Sequence, residues 1–205
     1  GANVFNPALI GRAFLFVSFP TSMTTWTDPN GVTDVVTSAT SQATGMVDAL
    51  SSATILSMGS EEIAKLNPLS LFWGFRAGCI GETSIFLILV AFFFLFITKI
   101  IDWRAPVAMI ATVVIATLIA GGDVIIALLS GGLLFGAVFM VTDYATTPVT
   151  QKGRLLFGFG CGLITFLIRQ FSGYPEGVMF SILIMNTLVP FLNKLIGKKY
   201  GFVKK

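Results

Sequence analysis

An all-α integral membrane protein, built as a polytopic helical bundle, is the fold class this sequence predicts, and three observations predict it. Hydrophobic residues make up 55% of the 205-residue chain and charged residues 11%, and the mean hydropathy is +0.87, well outside the range of soluble domains. Apolar segments recur at close to the roughly 20 residues that an α-helix needs to cross a bilayer. The few charges lie between those segments and fall unevenly on alternate loops.

The apolar stretch over residues 8–19 contains Gly11 and Arg12 and is too short for a complete span, so it reads as a half-span. From residue 21 to about 68 the composition turns to Thr, Ser, Asp, Gly and Asn, the signature of a polar extramembrane loop. Residues 69–84 hold a second short apolar run with Arg76 inside it, which fits an interfacial or re-entrant helix. A membrane bundle of five full spans then occupies residues 85–197, with segments at 85–101, 105–120, 124–141, 155–168 and 178–196. The chain closes on a basic tail, 198–205. Tight turns at Asp102-Trp103-Arg104 and Gly121-Gly122-Asp123 require antiparallel neighbours.

Alternation of the spans sends Lys99, Arg104, Lys152, Arg154, Lys194, Lys198, Lys199, Lys204 and Lys205 to one side of the membrane and Arg169 to the other. The richer side is expected to be cytoplasmic, tail included, which puts the polar loop at the outer face. Because these cations flank spans, the basic balance reflects orientation and anionic headgroups; no nucleic-acid partner is expected. Gly131, Gly132 and Gly136, and then Gly158, Gly160 and Gly162, are expected to bring helices into close contact. A phosphate cradle at 158–162 is the weaker alternative, since no strand precedes it.

Histidine is absent and the two cysteines, Cys79 and Cys161, are far apart, so this chain alone offers neither a His-ligated haem nor a Cys-rich iron–sulfur site. The cysteines read as packing residues. Any redox role therefore needs an organic cofactor, and no metal ligands or complete catalytic set are expected. The opening Gly1, without methionine or leader, suggests a piece of a longer chain.

Within the polar loop one pattern occurs twice, as Asp34-Val-Val-Thr-Ser-Ala-Thr40 and Asp48-Ala-Leu-Ser-Ser-Ala-Thr54. It resembles the acceptor on which a flavin transferase esterifies FMN to threonine. The hydroxyl would attack the flavin-side phosphorus of FAD and displace AMP, which needs an exposed hydroxyl among small residues and metal-assisted charge neutralisation. In a Ser/Thr-rich loop the bland alternative is that these hydroxyls cap turns.

Asn6-Pro7-Ala8-Leu9-Ile10-Gly11-Arg12, Gly78-Cys79-Ile80-Gly81-Glu82-Thr83-Ser84, Thr142-Asp143-Tyr144, Pro148-Val149-Thr150, Lys152-Gly153-Arg154 and Gly173-Tyr174-Pro175-Glu176-Gly177 together resemble the RnfD/NqrB family along the whole chain. The Ile100 to Arg104 turn and the Thr142 to Arg154 loop bring it nearer the RnfD branch. The resemblance implies a roughly ten-span fold of two similar halves, of which this chain holds mostly the second, with residues 1–20 ending the first. It further implies covalent FMN, with a second flavin or riboflavin left open. It implies membership of an Rnf-type ferredoxin:NAD⁺ oxidoreductase alongside A, B, C, E and G subunits, maturation by a flavin transferase, and coupling to Na⁺ or H⁺ movement across a bacterial or archaeal cytoplasmic membrane.

Of the two copies, Thr54 is the expected attachment site, because Ile55-Leu56 follows it and the Gly81 element lies within reach; Thr40 lacks the apolar pair. Asp48 and Ser51 of the same motif, with Arg12 and Glu82 near the span entrances, complete the expected cofactor-binding set. Glu176 and Asp143 are weaker ion-path or flavin candidates, since ionisable groups near a bilayer are costly. Lys99 and Arg169 are expected to be ordinary interfacial charges. Two alternatives stay open: the B subunit of a Na⁺-translocating NADH:quinone reductase, and a transporter or channel without redox function.

Overall fold

The computed structural model describes residues 3–20, 23, 72–74, 81–129, 131–172 and 177–196. Regular structure among them is helical: α1 (Pro7–Ser18), α2 (Ile85–Ile97), α3 (Arg104–Ile119), α4 (Val124–Leu129), α5 (Leu133–Phe135) running into a π turn (Gly136–Met140), α6 (Gln151–Phe171) and α7 (Val178–Ile196). Short polar residues just ahead of apolar runs start them. The Asn6 side chain accepts from Ala8 N at 3.0 Å, and Pro7 follows where a missing N–H costs nothing. The Asp123 carboxylate accepts from Ile125 N at 3.0 Å, and the Thr150 hydroxyl from Gly153 N at 3.2 Å.

At 21 residues, α6 is the one described helix long and apolar enough to cross a bilayer; its length is about 30 Å. Helices α3 and α7 match the extents suggested for 105–120 and 178–196, whereas the suggested spans 85–101 and 124–141 are cut short, for identifiable reasons. At the end of α2 the Thr98 hydroxyl reaches back to the carbonyls of Phe94 (2.8 Å) and Leu95 (3.1 Å), and Lys99 turns the chain aside with φ 57°. The segment 124–141 is not one helix: α4 stops at Leu129, and Gly131, at φ 64°, carries the chain to α5. Pro190 interrupts the hydrogen-bond ladder inside α7.

Helix α6 is the centre of the bundle. A side-chain carbon at Gly158 would collide with the Ala105 carbonyl of α3, and one at Gly162 would come within 2.6 Å of the Met109 carbonyl. Spaced four apart, these glycines let the α3 backbone approach closely, while Gly160 faces Met185 of α7. Met109, Val113, Phe157 and Ile182 fill the core around them. The Thr165 hydroxyl donates to the Cys161 carbonyl at 2.7 Å and lies 2.8 Å from the Ser181 hydroxyl, so polar groups in this interface satisfy one another. Cys161 is buried there as a packing residue, and the glycine cluster is a packing seam rather than a phosphate cradle.

Asp102 ties the start of α3 to the start of α6. Its Oδ2 accepts from Arg104 at 2.8 Å and from Arg154 at 2.7 Å, and Arg154 Nε donates to the Pro148 carbonyl at 3.0 Å. Nearby, Val149 N donates to Asn193 of α7 at 3.0 Å. Arg104, Lys152, Arg154 and Lys194 therefore share one end of the bundle, as the charge pattern anticipated, and Arg169 lies at the far end of α6. Partial burial raises the Asp102 carboxyl, but hydrogen bonds from the Arg104 backbone and the two guanidiniums outweigh it and hold the group below its ordinary 3.8.

Two expected outcomes follow from this packing. Gly158→Leu lowers the stability of the membrane-embedded chain by about 1–3 kcal/mol, read as a fall in Tm, because the added side chain meets a backbone carbonyl that cannot yield. Asp102→Asn costs about 1–2 kcal/mol near neutral pH, the range for charged hydrogen bonds discounted for partial exposure. A carboxyl depressed in the fold stabilises above its unfolded value and stops doing so as pH falls through the folded one. The Tm difference between Asp102→Asn and the parent should therefore shrink below about pH 4.

Candidate functional site at a broken helix

Where α4 gives way to α5, two helix ends meet at a half-buried stretch of the bundle. Each leaves backbone groups without intrahelical partners, carbonyls on the α4 side and N–H groups on the α5 side. Arg169 answers the first: its Nη1 donates to the Ala127 carbonyl at 2.9 Å, placing a cation at a helix C-terminus, where the macrodipole favours one. Glu82 lies beside the second. It is 8% exposed, and a Cβ on Gly132, the residue capping α5, would lie 2.6 Å from Glu82 Oε1. The carboxylate thus occupies the space that the missing Gly132 side chain leaves.

Arg12 of α1 closes the arrangement. Together with Glu82, Gly132, Phe135, Met140, Arg169, Val178 and Met179 it lines a cavity of about 20 Å³, room for roughly one water or a bare ion. Two of the expected site residues, Arg12 and Glu82, are therefore brought together. Arg169, expected to be an ordinary interfacial charge, is instead the third member. Its sequence signal was a single arginine on the charge-poor side; what the sequence hid was the helix break that it caps.

A larger recess of about 330 Å³ adjoins, lined by Gly81, Thr83, Ser84, Leu87, Ile88, Ala91, Phe135 and Phe139. Gly81 and Thr83 flank Glu82 in sequence and Phe135 lines both spaces, so recess and cavity share a wall. The rings of Phe135 and Phe139 are 5.0 Å apart and tilted. At the recess rim the Ser84 hydroxyl accepts from Leu87 N at 3.4 Å to begin α2.

Asp143 is occupied in its own turn, accepting from Ala145 N at 3.2 Å and the Thr146 hydroxyl at 3.0 Å. Thr54, Asp48, Ser51, Thr40, Glu176 and Cys79 lie outside the described residues. Asn186 carried no signal in the sequence. Its carboxamide is wholly buried in α7, and neither polar atom finds a hydrogen-bond partner among the described residues.

The close fit of Glu82 over Gly132 is testable by a double-mutant cycle. Gly132→Ala should cost about 1–3 kcal/mol of stability by overpacking. The same substitution in a Glu82→Ala background should cost less, leaving a coupling energy of at least about 0.5 kcal/mol in thermal or denaturant unfolding. Additive effects would show that the carboxylate does not fill that space.

Known proteins share this sequence over nearly all its length. The D subunit of the Na⁺-translocating ferredoxin:NAD⁺ oxidoreductase complex of Acetobacterium woodii is 41% identical over all of this chain and 61% of its own length. The D subunit of the proton-translocating ferredoxin:NAD⁺ oxidoreductase complex of Clostridium ljungdahlii is 43% identical over 95% of the chain and 60% of its own length. The D subunit of the ion-translocating oxidoreductase complex of Stutzerimonas stutzeri is 36% identical over 95% of the chain. The chain thus spans about three fifths of the length of the curated relatives it matches. With the sequence profile of the NQR2, RnfD, RnfE family matching residues 1–201, the chain belongs to that family.

Proposed function

We propose that this chain is part of the D subunit of an ion-translocating ferredoxin:NAD⁺ oxidoreductase and that FMN, esterified to Thr54, passes electrons through it. The observation carrying this reading is the alignment of D subunits over nearly the whole chain at up to 43% identity; the repeated acceptor motif supplies the attachment chemistry. The proposed setting is a bacterial or archaeal cytoplasmic membrane, with the 198–205 tail cytoplasmic, the 21–68 loop at the outer face and the A, B, C, E and G subunits of the Rnf complex as neighbours.

The described residues fit a flavin in a divided way. A cavity of about 20 Å³ excludes a tricyclic ring, so Arg12 and Glu82 act on a flavin through charge rather than contact. The neighbouring recess of about 330 Å³ lies within the usual range for ligand pockets, and its Phe135 and Phe139 faces suit an aromatic ring. When bound, FMN supplies one- and two-electron carriage. The chain's own groups position the ring, exclude water from it through Leu87, Ile88 and Ala91, and set the nearby potential through Arg12, Glu82 and Arg169.

A second reading, a transporter without redox chemistry, draws on the broken helix itself, since discontinuous helices with charged ends often surround solute paths. A third places the chain in the B subunit of a Na⁺-translocating NADH:quinone reductase, a sibling within the same family. Flavin attachment separates the transporter from the other two. The full-length subunit, produced with a flavin transferase and run on a denaturing gel, should fluoresce under ultraviolet light. Thr54→Val should abolish the emission and Thr40→Val should leave it; a dark parent band would refute covalent flavin altogether.

A further inference from the structure

At the cationic end of the bundle, two guanidiniums share one carboxylate oxygen. Arg104 and Arg154 reach the same Asp102 Oδ2, at 2.8 and 2.7 Å, so two positive groups face a single negative one at close range. Among the described residues, Nη2 of each arginine donates to no protein acceptor, and the side chains keep 27% and 33% of their surface open. The pair is fixed in place: Arg104 lies over the Trp103 ring at 5.5 Å and Arg154 is held by the Pro148 carbonyl. Such a fork, ordered and left with surplus positive charge, matches an oxyanion with two acceptor oxygens.

The surroundings say which oxyanion. Trp103 is 44% exposed, as an indole at a membrane interface is. Ile100, Val107 of α3 and Leu155 of α6, close to the two arginines in sequence, present exposed apolar side chains. Within this end, from residue 99 to 104, 142 to 154 and 193 to 194, five cations face two carboxylates. One of those carboxylates, Asp143, is spent on its own turn. We propose that the Arg104–Arg154 pair, held on Asp102 beside Trp103, binds the phosphodiester of an anionic phospholipid whose acyl chains run along Val107 and Leu155.

Binding is read by native mass spectrometry of the full-length subunit in its intact complex, released from nanodiscs of mixed phosphatidylglycerol and phosphatidylcholine. The parent should retain phosphatidylglycerol selectively. Arg104→Gln should weaken that retention about fivefold, the effect of one interfacial cation, and Arg104→Lys, which keeps charge and ion pair but loses the fork, should fall between. Should the Gln variant fail to fold, the Lys variant alone still reads the loss. Equal retention by parent and variants would overturn the proposal. So would displacement of the lipid by inorganic phosphate, which makes a soluble anion the occupant, or retention by the isolated subunit but not the complex, which assigns the surface to a protein neighbour.

Discussion

Much of this structure depends on one constraint: a helix that is broken inside an apolar bundle must have its exposed backbone ends answered by charge. The N–H and C=O groups at the half-buried gap between α4 and α5 lack intrahelical partners, and an unsatisfied group in hydrocarbon costs several kcal/mol. Arg169 reaches the Ala127 carbonyl of α4, and Glu82 sits over the glycine that caps α5. Arg12 joins them from α1. Three distant segments of sequence are thereby committed to one place, and α1, α2 and α6 are fixed relative to the break. Charges that would be a liability on an ordinary span become the condition for having a break at all.

The α3–α6 seam does the opposite kind of work. There the backbones approach until only glycine fits, at Gly158 and Gly162, while on the adjoining α6–α7 contact the hydroxyls of Thr165 and Ser181 pair with each other. Association of helices in lipid draws little on the hydrophobic effect and relies on such close contact. The seam is closed at one end by Asp102, so the rigid half of the bundle lies where the basic residues cluster and the irregular half lies toward Glu82 and Arg169.

Much of this was legible in the residues. Helical class, the close-packing glycines and the clustering of basic residues at one end follow from composition, small-residue spacing and charge pattern, whereas α6 starts at Gln151, ahead of the expected 155, because Thr150 caps it. The break between Leu129 and Leu133 did not follow from them either. Hydropathy averages over a window and sees 124–141 as one apolar run, whereas Gly131 and Gly132 make a local decision that only tertiary partners, Glu82 and Arg169, render tolerable. Arg169 escaped for the same reason, because its partner is a carbonyl 42 residues away and carbonyls carry no sequence signature. Arg12 and Glu82 stand out because ionisable groups at span entrances are costly, and that argument needs no knowledge of the fold. The flavin motif, by contrast, is legible only in sequence, since Thr54 lies outside the described residues.

The π turn over Gly136–Met140, closed by Val141 N on the Gly136 carbonyl at 2.8 Å, has a geometric meaning beyond its own hydrogen bonds. Accommodating one additional residue advances the angular phase of everything downstream by about 100° relative to an uninterrupted α-helix. The segment itself addresses two environments: Phe135 and Phe139 border the recess while Ala137, Val138 and Val141 are packed inside. Four positions apart, Phe135 and Phe139 share one helical face and Ala137, Val138 and Val141 fall on the other, so the segment shapes both the wall of the recess and the interior of the bundle, and the widened turn re-aims the chain that leaves it toward Asp143.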